Sequence, residues 1–361
     1  VTETLTLAST ARQAFHELSV AHVERLTDDA VAVTFDVPPE LRDIFDFAAG
    51  QSLTLRRNVD GVEHRRSYSI CSAVGSPPRI GVREIPDGLF SSWLVRQVKV
   101  GDRVEVQAPS GSFRADPAAG GRHLCIAAGS GITPMLSIAA TVLRHPQAQV
   151  TMLYGNRTST SVMFAEELAD LKDGFHQRFN LIHVLSREPR DVALFSGRLD
   201  ADRLRQLFAR LVPLTNLDHI WLCGPLGLLS AAREVLAEAG VPAANIHFEL
   251  FYVDEPPPQI NRAERVTDGV TSEVTVNLDG RATITAMARD KTILDSAQET
   301  RGDLPFACKG GVCGTCRAKV CDGEVDMVRN YALEPNEVAE NFILTCQTFP
   351  VSDAVTVDFD A

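Results

Sequence analysis

The amino-acid sequence predicts a multidomain chain: an antiparallel β-barrel, then an α/β layer on a parallel sheet, then a small α+β tail. Three patterns predict it. Residues 20 to about 115 hold short alternating runs broken by frequent turn residues. Residues 122–239 hold strands that alternate with helical stretches. Near the C-terminus four cysteines stand as C-x4-C-x2-C and a distant lone cysteine.

The first region opens with Ala30-Val31-Ala32-Val33-Thr34-Phe35 and Gln51-Ser52-Leu53-Thr54-Leu55, both rich in β-branched or alternating residues. Asp60-Gly61 lies between Leu53-Thr54-Leu55-Arg56 and Arg66-Ser67-Tyr68-Ser69-Ile70, which marks a hairpin. Arg103-Val104-Glu105-Val106 is a further alternating strand. In the second region Arg122–Ala128, Gln149–Tyr154, Asn180–Leu185 and His219–Cys223 read as strands. Helices are expected after Pro134, from Ser161, over Asp202–Leu211 and over Leu226–Ala239. Pro256-Pro257-Pro258 opens a polar stretch suited to a linker. Beyond it, Ser272–Ala286 is a hairpin about Asp279-Gly280, followed by a short helix over Ile293–Thr300 and the cysteine loop. The expected domains are 14–118, 119–253 and 271–361, with a linker at 254–270.

A length of 361 residues suits two to three domains. The net charge of −12 argues against nucleic acid, whose affinity rests on cations at phosphates. It permits docking on a basic face of a partner. No apolar run reaches about 18 residues, so no membrane span is expected. The first residues lack a basic start followed by an apolar stretch, so no signal peptide is expected either. Eight cysteines are few for a disulfide scaffold in so long a chain. A cytoplasmic setting, where thiols stay reduced, fits them.

Cys308, Cys313, Cys316 and Cys346 carry the clearest chemistry. Their spacing is that of plant-type [2Fe–2S] sites, in which four thiolates grip two irons. Gly310, Gly311 and Gly314 allow the loop to wrap closely and turn N–H groups toward the sulfides. Zinc knuckles use paired CxxC units, and only one CxxC is present. Upstream, Gly129-Ser130-Gly131-Ile132-Thr133-Pro134 joins a strand to a helix, where backbone N–H groups can meet a pyrophosphate; the glycines also suit a plain tight turn. Cys223-Gly224-Pro225 ends a later strand and would face the same crevice. Arg66 and Tyr68 share one strand face and can meet a phosphate and a flat ring, or be an exposed cation and a core aromatic.

In this order the segments resemble the ferredoxin–NADP reductase superfamily, joined to a ferredoxin tail. Arg66-Ser67-Tyr68-Ser69 matches its RxYS flavin motif, and Gly88-Leu89-Phe90-Ser91-Ser92-Trp93-Leu94 resembles its second flavin segment. Asn330-Tyr331-Ala332-Leu333-Glu334-Pro335, Leu344-Thr345-Cys346-Gln347 and the domain order are similar to the reductase subunits of phenylacetyl-CoA epoxidases. Reductases of ketosteroid 9α-hydroxylases share that architecture. The resemblance implies an FAD barrel, a nucleotide-binding α/β domain and a β-grasp [2Fe–2S] domain. It implies an enzyme that passes electrons from NADPH through FAD and the cluster to the oxygenase component of a multicomponent monooxygenase, the di-iron phenylacetyl-CoA epoxidase. The alternatives are NADH as donor, a ketosteroid or aromatic-ring oxygenase as partner, and, in another class, a non-enzymatic zinc or redox-sensing module.

It also implies residue roles. Ser69, Cys223 and Glu249 would surround the reacting rings, unless Glu249 is a surface residue that ends a strand. Arg66, Ser67, Tyr68, Val82, Arg83, Gly88, Phe90, Ser91 and Ser92 would hold the flavin. Phe251 or Tyr252 would shield its far side, or simply pack. Gly129, Ser130, Gly131, Thr133, Pro134, Cys223, Gly224 and Pro225 would hold the nicotinamide nucleotide. Ser186 and Arg187 would meet the 2′-phosphate of NADPH and Arg157 would lie near the adenosine side, or both arginines are ordinary solvated cations; Glu188 beside Arg187 blurs that signal.

Overall fold

The computed structural model describes residues 14–86, 88–118, 120–252 and 270–361. The linker expected at 254–270 lies outside the described residues apart from Val270. The chain divides into two compact units. One comprises His16–Arg57 and Tyr68–Glu255; the other comprises Asn58–Ser67 with Val1–Phe15 and Pro256–Ala361.

An antiparallel sheet leads the chain, most of its residues in the first unit and Asn58–Ser67 counted with the second. Its strands are β1 (Phe15–Thr27), β2 (Ala30–Asp36), β3 (Ser52–Val59), β4 (Val62–Ser69), β5 (Arg79–Arg83) and β6 (Arg103–Gln107). They run in the order β4-β3-β6-β1-β2-β5. A bridge between Ile70, just past β4, and Ile80 on β5 joins the two edges, so the sheet closes on itself. Alternation sends Leu18, Val20, Val31, Val33, Phe35, Leu53, Leu55, Val104 and Val106 into one core. The β3–β4 hairpin turns at Asp60 and Gly61, with φ of 52° and 80°, the left-handed pair that an Asp-Gly turn supplies. Helix α1 (Leu89–Arg96) buries Phe90, Ser91, Leu94 and Val95; the sequence reading had placed only a flavin segment there.

A parallel five-stranded sheet follows: β7 (Gly121–Ala128), β8 (Ala148–Asn156), β9 (Phe179–Leu185), β10 (His219–Pro225) and β11 (Ile246–Tyr252). The order is β11-β10-β7-β8-β9. The chain therefore builds outward from β7 on one side and then on the other. In such sheets ligands gather at strand carboxyl ends where the order reverses, here beside β7 and β10. Helices α2 (Ile132–Val142), α3 (Ala165–Gly174), α4 (Ala201–Arg210) and α5 (Leu226–Glu238) connect the strands. Helix α2 is apolar nearly all round, and Ile132, Met135, Ile138, Ala139 and Val142 are fully buried. Asp200 starts α4 by accepting the Arg203 N–H at 2.9 Å.

The tail forms a mixed sheet from β12 (Thr271–Leu278), β13 (Arg281–Ala288), β14 (Arg317–Asp322), β16 (Phe342–Leu344) and β18 (Ala354–Asp358), in the order β13-β12-β18-β14-β16. A small ribbon pairs β15 (Val325–Met327) with β17 (Thr348–Pro350). The expected Asp279-Gly280 hairpin is present, with φ of 53° and 67°. Helix α6 (Ile293–Ala297) is capped by Thr292, whose hydroxyl accepts the Asp295 N–H at 3.1 Å. A further short helix, α7 (Pro335–Ala339), precedes β16. A mixed sheet with one covering helix is the β-grasp arrangement that the family resemblance implied.

Candidate electron-transfer site

Toward the carboxyl end of β10, Cys223 stands in register opposite Glu249, midway along β11. Ser69, the last residue of β4, is buried and donates its hydroxyl to Glu249 Oε2 at 3.0 Å. The fold thus joins a barrel strand to the parallel sheet through these side chains. Part of Glu249 stays open to solvent, but its carboxyl end points inward to Ser69. Burial pushes that carboxyl up to about 7, while the Ser69 hydrogen bond pulls the other way. Burial, followed by the charge of Glu249, drives the Cys223 thiol well above its ordinary range, so it is a neutral thiol. Tyr68 is half-buried beside Phe90, with ring centroids 6.2 Å apart. Arg66 and Ser67 precede it on β4, and the Arg66 guanidinium donates to the Arg65 carbonyl at 2.6 Å.

The loop after β7 is shaped by close approach. A Cβ on Gly131 would lie 2.2 Å from the Cys223 carbonyl oxygen, so only glycine fits. Gly129 takes φ of 57°, and its carbonyl accepts the Tyr154 hydroxyl at 3.0 Å. Thr133 is buried and donates to the Ser130 carbonyl at 2.9 Å. Its methyl would stand 2.5 Å from a Cβ on Gly81, so glycine in β5 lets the barrel meet the start of α2. Pro134 is buried within α2, and Gly224 and Pro225 lead into α5. Neither Gly81 nor Tyr154 stood out in the sequence, because a strand glycine and a strand tyrosine read as ordinary packing.

Other flavin candidates separate by environment. Val82 is buried in the barrel core. Arg83 donates to the Ser161 carbonyl at 2.5 Å and lies 3.3 Å from Asp29. Gly88 precedes α1, where a Cβ would collide with Ser91 Oγ at 2.5 Å. Ser91 Oγ in turn accepts the Ile85 N–H at 3.0 Å. The Ser92 N–H donates to the Gly88 carbonyl at 2.9 Å. Phe251 packs partly buried against the core around α2, and the side chain of Tyr252 lies outside the described residues.

At the ends of β8 and β9 two backbone bonds run side by side. Ser186 N–H reaches the Asn156 carbonyl, and Arg187 N–H reaches the Arg157 carbonyl, both at 2.8 Å. Arg157 and Arg187 are exposed. Glu188 accepts the backbone N–H and the hydroxyl of Ser159 on a single oxygen, at 2.7 and 2.8 Å.

In the second unit the four cysteine sulfurs form a ring of neighbours. All four are free thiols: Cys308 and Cys313 share a hydrogen bond, as do Cys316 and Cys346, while charge acts between Cys313 and Cys316 and between Cys308 and Cys346. The Cys313 thiol, and then the N–H groups of Gly310, Val312 and Cys313, lower Cys308 against the opposing effect of burial, while Cys313 itself is raised. The Gly310 N–H lies 3.3 Å from Cys308 Sγ. Positive φ at Lys309 (51°), Gly311 (78°) and Gly314 (66°) lets the loop curl. Among the described residues no group of three or more His, Cys, Asp or Glu suits a single metal ion. Four neighbouring thiols would suit a two-iron body.

The segment of the fourth cysteine also grips the loop. Thr345 bonds the Cys316 carbonyl through its N–H at 3.1 Å and its hydroxyl at 2.9 Å. The Gln347 amide donates to the carbonyls of Lys309 and Cys346, each at 2.8 Å. The sequence reading missed both roles. A side chain that reaches a carbonyl 38 residues away leaves no local signal.

Comparison with known proteins agrees with this architecture. Residues 17–115 match the oxidoreductase FAD-binding domain model, 125–234 the oxidoreductase NAD-binding domain, and 276–351 the 2Fe-2S iron-sulfur cluster binding domain. The chain is 45% identical to a subunit of the 1,2-phenylacetyl-CoA epoxidase of Escherichia coli, over 96% of this chain and 98% of that protein. It is 32% identical to the ferredoxin reductase component of 3-ketosteroid-9-alpha-monooxygenase of Rhodococcus rhodochrous, over 95% and 96% of the two chains. Phthalate dioxygenase reductase, described as a modular structure for electron transfer from pyridine nucleotides to [2Fe-2S], has the same fold. Its TM-score is 0.59 at 24% identity, over 96% of this chain and 98% of that one.

Proposed function

The chain belongs to the family of FAD- and [2Fe–2S]-dependent NAD(P)H reductases that serve oxygenases, and on that premise we propose that it feeds electrons from NADPH to a phenylacetyl-CoA epoxidase. The observation that carries the redox reading is the meeting of Ser69, Glu249 and Cys223 beside the Gly129–Gly131 loop, in a chain that also gathers four thiols. When bound, the flavin takes a two-electron hydride from the nicotinamide and passes single electrons to the iron–sulfur group.

The residues bind and orient. Tyr68 offers a ring face for stacking, and Arg66 a cation for the flavin pyrophosphate. Gly88, at the start of α1, and Phe90, Ser91 and Ser92 within it complete that side, with Arg83 and Val82 on β5. Gly129, Ser130 and Gly131 present backbone N–H groups to the nucleotide, and Thr133 and Pro134 fix the helix start behind them. Cys223, with Gly224 and Pro225, borders the nicotinamide as a small neutral group. Ser69 and Glu249 place a hydroxyl and a carboxylate where charge develops as hydride leaves. Ser186, Arg187 and Arg157 supply the polar group and the two cations that a 2′-phosphate needs. Cys308, Cys313, Cys316 and Cys346 hold the two irons.

The working modules are taken as 14–118, 119–253 and 271–361, with a linker at 254–270. Among the described residues no helix is long and apolar enough to cross a membrane. A cytoplasmic location is proposed, in keeping with eight unpaired cysteines. The test is stopped-flow oxidation of the reduced protein by purified oxygenases. Phenylacetyl-CoA epoxidase should be reduced and turned over efficiently with NADPH. Efficient turnover of a ketosteroid hydroxylase instead would transfer the assignment to that partner.

A further inference from the structure

Glu188 follows directly in the chain on Arg187, one of the two cations assigned to the nucleotide's adenosine side. Left free, its carboxylate would repel a 2′-phosphate and accept hydrogen bonds from an unphosphorylated ribose, as acidic residues do in NADH-binding folds. It is not free. Ser159, at the start of a short turn after β8, holds one carboxylate oxygen with two donors at 2.7 and 2.8 Å. The other oxygen faces Arg190 at 3.9 Å. Arg187, its neighbour in the chain, and Arg157 are exposed and tied to each other through the backbone. The local balance therefore favours a dianion, although a carboxylate stands in the sequence between Arg187 and Arg190.

We propose that Ser159 is a specificity-determining residue, which sets NADPH over NADH by fastening Glu188 away from the ribose. The inference rests on the NADPH reading above. It assigns the choice to a residue that touches neither phosphate nor ring, and so predicts a pattern between two positions. Removing the Ser159 hydroxyl leaves the backbone N–H in place, so the carboxylate is loosened rather than released. At this partly exposed site one lost hydrogen bond of ordinary net strength corresponds to roughly a five- to tenfold change.

The test uses FAD-loaded, full-length protein. Calorimetric affinities for 2′,5′-ADP and 5′-AMP are measured beside kcat/KM for NADPH and NADH. Ser159→Ala should cut the preference for 2′,5′-ADP over 5′-AMP, and the NADPH/NADH ratio, by about five- to tenfold. Glu188→Gln, added to that variant, should restore both, because the freed side chain then carries no charge. An unchanged ratio in Ser159→Ala overturns the role of Ser159 alone. So does a double variant as impaired as the single one, which would indicate a disturbed loop rather than a released charge. Wild-type protein that binds 5′-AMP as tightly as 2′,5′-ADP overturns the NADPH reading itself.

Discussion

Glu249 shows how one side chain ties chemistry to pH. Its carboxyl is lifted to about 7 by burial, against a hydrogen bond from Ser69 that favours the ionised form. A nicotinamide that gives up hydride becomes cationic, so an ionised neighbour lowers the barrier and a neutral one does not. The limiting rate of flavin reduction should rise as pH passes through about 7. Glu249→Gln should flatten that rise and, above it, react about ten- to a hundredfold more slowly in rapid-mixing traces. Stability moves in the opposite sense. The folded pKa exceeds the unfolded one, so the native state holds the proton more tightly, and stability falls as pH climbs from about 4.5 through about 7. Glu249→Gln should therefore raise Tm at pH 8 and leave it nearly unchanged at pH 4. At this scale the sequence was informative where a residue type is rare and its spacing rigid, as for the four cysteines. It named Ser69, Cys223 and Glu249 from motifs, but not that Ser69 would bond Glu249, a partner 180 residues away.

Among elements, the strand-to-helix turns decide where ligands can approach. Gly131 and Gly227 make a controlled pair. A methyl on Gly131 would stand 2.2 Å from a backbone oxygen of β10, which cannot rotate away. Gly131→Ala should cost about 1–3 kcal/mol in denaturant unfolding and weaken nucleotide binding. Gly227 lies exposed in α5 with nothing within 4 Å of the added carbon. Gly227→Ala should stabilise by about 0.5–1 kcal/mol. In the tail, Gln347 fastens the cysteine loop through the Lys309 carbonyl. Gln347→Ala forfeits about 1 kcal/mol of hydrogen bonding, so chelators should strip iron about fivefold faster, with loss of visible absorbance as the readout. Element types were largely legible, because alternation and Asp-Gly turns are local: both hairpins and all four β7–β10 strands were anticipated. Strand β5, helix α1 and the short strands of the tail were not. Their residues make sense only against partners far along the chain, as Ile80 does against Ile70.

Across the whole molecule the order of parts was readable and their pairing was not. A hydride step needs the barrel, the parallel sheet and a dinucleotide; a one-electron step needs the thiol cradle. These requirements fall on different residues, so they should come apart under mutation. Cys308 is half-exposed and belongs to the pair that it forms with Cys313. Replacing its sulfur by oxygen removes one of the four soft ligands that would hold the irons. Cys308→Ser protein should lose the visible and paramagnetic signatures of iron while retaining its FAD. Its NADPH:ferricyanide activity should stay within about twofold of wild type, since a small acceptor can take electrons directly from the flavin. Its support of an oxygenase should fall by at least about a hundredfold, because the partner then lacks a one-electron donor it can meet. Parallel loss of both activities would mean that the cradle also holds the flavin half together. Undiminished oxygenase turnover would mean that the irons lie off the electron path, and the proposed sequence from nicotinamide to partner would fail.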